Sequence, residues 1–170
     1  MRNFYQSRIE KAASAAGLST VLINPEDPSD LALPLPRIDV TWLKEKTTRI
    51  GKKIAVGGDE KNRMVKAAIF SVEQAATVSI ITDDKDSLDE MSKQFLLALP
   101  KTSSDPQGNL VTSKVHQAEW GGFSSELVEV LKTWSKAYHI TFTSLLTKEV
   151  AHPWMKDVSP SVSRQENSRG

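Results

Sequence analysis

Between residues 37 and 147 the chain reads as one strand after another with a single helix among them, and that order narrows the fold more than any other feature. Residues 37–43 alternate cleanly, with Ile38, Val40 and Trp42 on one side and Asp39 and Thr41 on the other, the period of a half-buried strand. Residues 63–72 and 76–82 are β-prone runs separated by Glu73, Gln74 and Ala75, which predicts two adjacent antiparallel strands. Residues 110–118 alternate again after the turn at Asp105, Pro106, Gln107 and Gly108. In residues 138–147, Tyr138, Ile140, Phe142 and Leu146 stand opposite His139, Thr141 and Thr143. Residues 126–134 fit a helix or a strand, and the strand is preferred.

The helix in this series is predicted from Ser87, which with Glu90 forms a capping box, to Leu99 ahead of Pro100. Leu88, Met91, Phe95, Leu96 and Leu99 fall at its helical spacing. A second helix is predicted over residues 3–16, with Phe4, Ile9, Ala12, Ala13 and Ala16 on its apolar side and Gly17 placed for a left-handed cap. Residues 19–23 read as a short strand, and four prolines (Pro25, Pro28, Pro34, Pro36) make residues 24–36 an extended connector. Runs of strands without βαβ alternation predict an α+β fold: a mostly antiparallel sheet with the N-terminal and main helices packed on one face.

At 170 residues, 39% hydrophobic and 25% charged, the chain suits one globular domain, placed here at residues 1–158, with residues 159–170 as a polar C-terminal tail. The absence of cysteine excludes disulfides, thiolate metal sites and a cysteine nucleophile. The first residues interleave Arg, Glu and Lys with apolar side chains, and no apolar run approaches a membrane span, so neither a secretory leader nor a membrane partner is expected.

A net charge of +1 rules out a general attraction to nucleic acid, but the charges are unevenly placed. From Lys44 to Lys66 there are eight basic side chains (Lys44, Lys46, Arg49, Lys52, Lys53, Lys61, Arg63, Lys66) against three acidic ones (Glu45, Asp59, Glu60). Residues 44–62 are therefore expected to form a projecting basic hairpin or flap, and Lys44, Lys46, Arg49, Lys52 and Lys53 are the candidate contacts to another subunit or to DNA in a lumen. Asp83, Asp84, Asp86, Asp89 and Glu90 gather at the start of the main helix, where the macrodipole and the exposed amide donors account for them without a metal. His116, His139 and His152 lack the spacing of a metal motif. Gly57 and Gly58 lack the rest of a phosphate loop, and no serine has a nucleophile-elbow context. No catalytic, cofactor or metal residue is assigned, and the chain is read as a non-enzyme. Trp154, beyond the last strand, is the candidate C-terminal anchor, folded back on its own sheet or inserted into a neighbour.

The layout of residues 1–158 resembles the tail-terminator, or tail-completion, proteins of long-tailed bacteriophages and their relatives at the neck. The likeness is carried by the N-terminal helix, the proline-rich lead LALPLPRIDV into the first long strand, the basic hairpin, the strands in AAIFSVEQAATVSIITDD, the helix SLDEMSKQFLLALP and the late strand YHITFTSLL. The resemblance implies a small α+β virion protein, present in the host cytoplasm during assembly. It implies a six-fold ring that caps the tail tube, stops its polymerisation and joins it to the head–neck. The implied partners are further copies of the chain, the tail tube protein and the head–tail connector or neck proteins, with DNA passing through the lumen. The alternatives are a neck or baseplate adaptor of the same fold class, or a small nucleic-acid-binding or nuclease-like α+β protein that uses the basic flap and the acidic cluster.

Overall fold

The computed structural model describes residues 1–25, 34–58, 62–121 and 133–153. Its elements run α1 (Arg2–Ala15), β1 (Thr20–Ile23), β2 (Arg37–Gly58), β3 (Asn62–Thr82), α2 (Lys85–Ala98), β4 (Thr102–Ser104), β5 (Leu110–Gly121) and β6 (Trp134–Pro153). The strands form one sheet in the order β1-β2-β3-β6-β5-β4. The β1–β2 pair is parallel and every other pair is antiparallel, so the chain is α+β with a mostly antiparallel sheet and two helices.

The core follows from period-two alternation carried across three strands in register. Ile38, Val40 and Trp42 of β2 lie beside Ile80, Val78 and Ala76 of β3, and Ala76 lies beside Ile140 of β6. These side chains form one buried cluster with Tyr5, Ile9, Ala12 and Ala13 of α1 and Leu88 and Phe95 of α2. Alanines at positions 12 and 13 let α1 approach closely, and the Tyr5 ring stacks on Phe142 at 4.9 Å between centroids. The hydroxyl of Tyr5 meets Ser144 Oγ at 2.8 Å, which satisfies two buried polar groups inside this apolar layer. Phe95 lies against Tyr138 at 6.3 Å.

Helix α1 ends in a Schellman motif: the Leu18 N–H donates to Ala13 O, the Gly17 N–H donates to Ser14 O, and Gly17 takes the φ of +78° that this cap requires. On the apolar side of α1, Tyr5 is the fully buried aromatic residue, while Phe4 is partly buried at the margin of the cluster.

Three sequence expectations are corrected. Residues 63–72 and 76–82 are not two strands but parts of one strand, β3, because Glu73, Gln74 and Ala75 continue the alternation without Gly or Pro to turn the chain. Gln74 points inward and is buried, and its Nε2 donates to the backbone oxygens of Leu43 and Ala75 at 2.7 and 3.1 Å. A polar side chain thus fills a core-facing position where the pattern suggested a break. The cap of α2 is Asp84 rather than Ser87: its carboxylate accepts from the N–H groups of Asp86 and Ser87, and Ser87 lies within the first turn, its hydroxyl donating to Asp84 O. Leu96, expected on the apolar stripe of α2, is exposed, since the helix buries Leu88, Ser92 and Phe95. Residues 126–132, the tail 159–170 and Trp154 lie outside the described residues.

Phe95→Ala is expected to lower the unfolding free energy by about 3–5 kcal/mol, read as a fall in the denaturant midpoint, because it removes a fully buried ring packed against Tyr138. Asp84→Ala should cost about 0.5–2 kcal/mol and Ser87→Ala less, and the reverse order would return the cap to Ser87.

Candidate functional site

The sheet has two unlike halves. Between residues 37 and 42 strand β2 is covered by the helices, but every residue from Leu43 to Gly58 is exposed. Strand β1 pairs with β2 only through Val40, and Asn24 closes that pairing by accepting the Trp42 N–H on Oδ1 at 2.8 Å. Strand β5 pairs with β6 only from Ser144 back towards Ser135. Beyond these points, three strands continue alone: β2 pairs with β3 as far as Gly58 and Arg63, and β3 with β6 as far as Asn62 and Pro153. Residues 43–58 of β2 run beside the 13 residues 63–75 of β3, which at roughly 3.3 Å per residue extend this blade about 40 Å. Among the described residues, both of its edges, β2 from Leu43 onward and β6 from Leu145 onward, lack a strand partner.

All five candidate residues, Lys44, Lys46, Arg49, Lys52 and Lys53, lie on the open β2 edge strand. None of them forms an ion pair with a described residue, although Lys46 stands opposite Glu73 in the ladder. The register shifts between Trp42 and Glu45, Arg49 and Lys52, and Lys53 and Ala55, and Gly51 supplies a φ of +59° within the second irregularity. Lysines and bulges are the features by which exposed edges resist indiscriminate strand pairing. The hairpin is also longer than residues 44–62, because its two arms are the whole of β2 and β3.

Apolar side chains lie among these charges. Ile50, Ile54 and Val56 are exposed on β2, and Val56, Val65 and Val150 form one row across the three strands. Arg49, Phe70 and Leu146 form another. A surface of mixed positive and apolar character suits contact with a macromolecule better than enclosure of a small substrate.

The acidic residues at the start of α2 lie at the other end of the sheet. Asp83, Asp84, Asp86, Asp89 and Glu90 are all exposed there. Asp84 is used as the cap, Asp89 meets Lys136 Nζ at 3.2 Å, and Glu90 accepts from Gln94. Among the described residues, no group of three His, Asp or Glu side chains is close enough to hold a metal ion.

A polar constellation that the one-dimensional pattern did not assemble sits on the sheet face away from the core. His139 Nδ1 lies 3.2 Å from Thr77 Oγ1, its Nε2 lies 3.8 Å from a Glu119 carboxylate oxygen, and His116 Nε2 lies 3.0 Å from Thr141 Oγ1. The residues come from β3, β5 and β6, and only the register brings them together. The signal in the sequence was the Thr and His alternation of residues 138–147.

A cleft of about 420 Å³ opens between the start of α1, the Asp105–Asn109 turn and β6, lined by Phe4, Tyr5, Asn109, Val111 and Leu146 among others. The Asp105 carboxylate closes the turn by accepting the N–H groups of Gln107 and Asn109 and the Asn109 amide, so its acceptors are already engaged. Comparison with models of known protein families and with curated proteins finds no match.

Burial pushes the Tyr5 phenol above its ordinary value of 10.0, with the bond to Ser144 opposing and the charges of Glu45 and Asp105 reinforcing the rise. A phenol held neutral in the fold but free to ionise when unfolded contributes stability that is present below pH 10 and is lost as pH climbs towards the raised value. Denaturant unfolding between about pH 9 and about pH 11 should show wild-type stability falling more steeply than that of Tyr5→Phe. Equal slopes would mean that the hydroxyl is not as buried as described.

Proposed function

We propose that this chain is a structural assembly subunit that forms a ring of six copies on the end of a phage tail tube, ending its polymerisation and joining the tail to the head–neck. The observation that carries this reading is the three-stranded blade. Roughly half of β2, β3 and β6 continues past the helix-covered core, and among the described residues it has two open edges and apolar side chains set among lysines. Ordering so much chain outside the helix-covered core has an entropic cost, against which the described blade buries few side chains, Val65 and Ala68 among them, and contact with a neighbour would offset the rest. The two edges differ in chemistry, so their contacts are heterologous, and heterologous contacts close into rings when the rotation allows. The layout of helices, proline-rich lead, hairpin and late strand supports the tail-terminator assignment among ring-forming proteins.

The native mass of the purified chain, alone and with tail tubes, tests this reading. A hexamer, or a ring that assembles on tubes, is expected; a monomer that cuts DNA with magnesium would establish the enzyme reading instead. Replacing Lys44, Lys46, Lys52 and Lys53 with Glu is expected to abolish capping, so that tubes grow beyond their normal length. Capped tails of normal length with altered DNA retention would place the segment towards the lumen, and normal particles with normal infectivity would leave it a solvated hairpin.

A further inference from the structure

The acidic and basic surfaces cannot meet within one molecule. Strand β3 ends at Thr82, α2 begins three residues later, and the ladder places Arg37 beside Ile81 at that end but Arg49 beside Phe70. By the ladder, Lys46 and Arg49 lie 8 and 11 paired positions beyond Arg37, about 26 and 36 Å at 3.3 Å each. Both surfaces are exposed, and each continues from charge into apolar side chains.

On α2, Asp86, Glu90, Lys93 and Leu97 recur at the spacing of one helix face, all exposed, with Leu97 72% exposed and Leu96 beside it. Acidic charge at the start of this face is followed by Lys93 and then by Leu97, 11 residues or about 16 Å of helix from Asp86. On β2, Lys46 and Arg49 are followed by Ile50 and, past Lys52 and Lys53, by Ile54; the ladder sets Arg49 beside Phe70 and Lys53 beside Ala67, so Arg49 and Ile54 lie about 12 Å apart along the sheet. The two surfaces thus carry opposite charge, at Asp86 and Glu90 on one and Lys46 and Arg49 on the other, and each has exposed apolar side chains beyond that charge. The bulges and lysines of the β2 edge disfavour pairing with another β2 edge, where like charges would face each other, and leave it open to an acidic surface.

We propose that the outer face of α2 of a second copy docks on the open β2 edge, with Asp86 and Glu90 against Lys46 and Arg49 and Leu97 against Ile50 and Ile54. This contact rests on the ring reading and names the surfaces that join its subunits. It is head-to-tail, since each copy offers its blade to one neighbour and its α2 to the other. Its charged part weakens with salt over a screening length of about 10 Å, while the leucine–isoleucine part persists.

Two charge reversals of the full-length chain test it by native mass and by sedimentation at low and high salt. Lys46→Glu with Arg49→Glu makes both surfaces acidic, Asp86→Lys with Glu90→Lys makes both basic, and each variant alone is expected to lose the oligomer. Mixing the two variants restores it, with the variants alternating in equal numbers, and so does combining all four substitutions in one chain. Leu97→Glu, at an exposed site where folding is unaffected, also abolishes assembly. A wild-type chain that stays monomeric, alone and on tubes, overturns the ring reading and this contact with it. Wild-type rings together with rings from both single reversals overturn the contact alone. Loss of salt-sensitive duplex DNA binding in the Lys46→Glu, Arg49→Glu variant, with assembly unchanged, assigns the edge to nucleic acid and likewise overturns it.

Discussion

Strand β3 is hydrogen-bonded on both sides along nearly its whole length, to β2 on one edge and β6 on the other, and the rest of the structure depends on that double pairing. One end of the strand supplies Ala76, Val78 and Ile80 to the core, and the other supplies Val65 and Phe70 to the blade. Backbone pairing is indifferent to whether a side chain is buried, so the ladder carries order from the packed half into the exposed half. The helices need only cover the first half to anchor the second. Tyr5 and Phe95, seated on Phe142 and Tyr138 of β6, hold the same strand that forms the far edge of the blade.

That arrangement separates stability from interaction. The buried cluster gathers at the helix-covered end, while the lysines of the β2 edge and Ile50, Ile54 and Val56 stay exposed along the blade. The acidic start of α2 belongs physically to the helix, since Asp84 engages orphan amides and its neighbours suit the macrodipole. The same carboxylates give the molecule a negative end about 20 Å or more from the start of its positive edge at Lys44, at 3.3 Å per strand residue. A charge pattern explained locally by helix capping is thereby also the one that the proposed contact between copies would use.

Local periodicity made much of the fold legible. Ile38, Val40 and Trp42 announced the core face of β2, Gly17 the end of α1, and Tyr138, Ile140 and Phe142 the inward side of β6. The errors fell where a side chain did something its type does not advertise. Gln74 satisfies its amide on Leu43 and Ala75 inside the sheet, so a polar residue that looked like a break is a core position. Asp84 took the cap because the helix begins earlier than the Ser87 and Glu90 pair suggested, and two carboxylate oxygens reached two amides. Leu96 lies on the stripe by spacing, yet α2 is rolled so that Ser92 rather than Leu96 joins Leu88 and Phe95 in burial.

The sequence by itself determined the α+β class, the near-neutral chain with its concentrated basic segment, and the placing of one helix at the start and another among the strands, because each depends on residues close together along the chain. Only the tertiary structure decided that the basic residues line an open sheet edge, that β6 extends beside β3 to complete a three-stranded blade, and that His139, Thr77 and Glu119 meet on one face. Those facts depend on register between strands distant in sequence, and a slip of one residue exchanges every inward and outward side chain. Register is set by the summed packing of α1 and α2 on three strands at once, a property that no local stretch of residues contains.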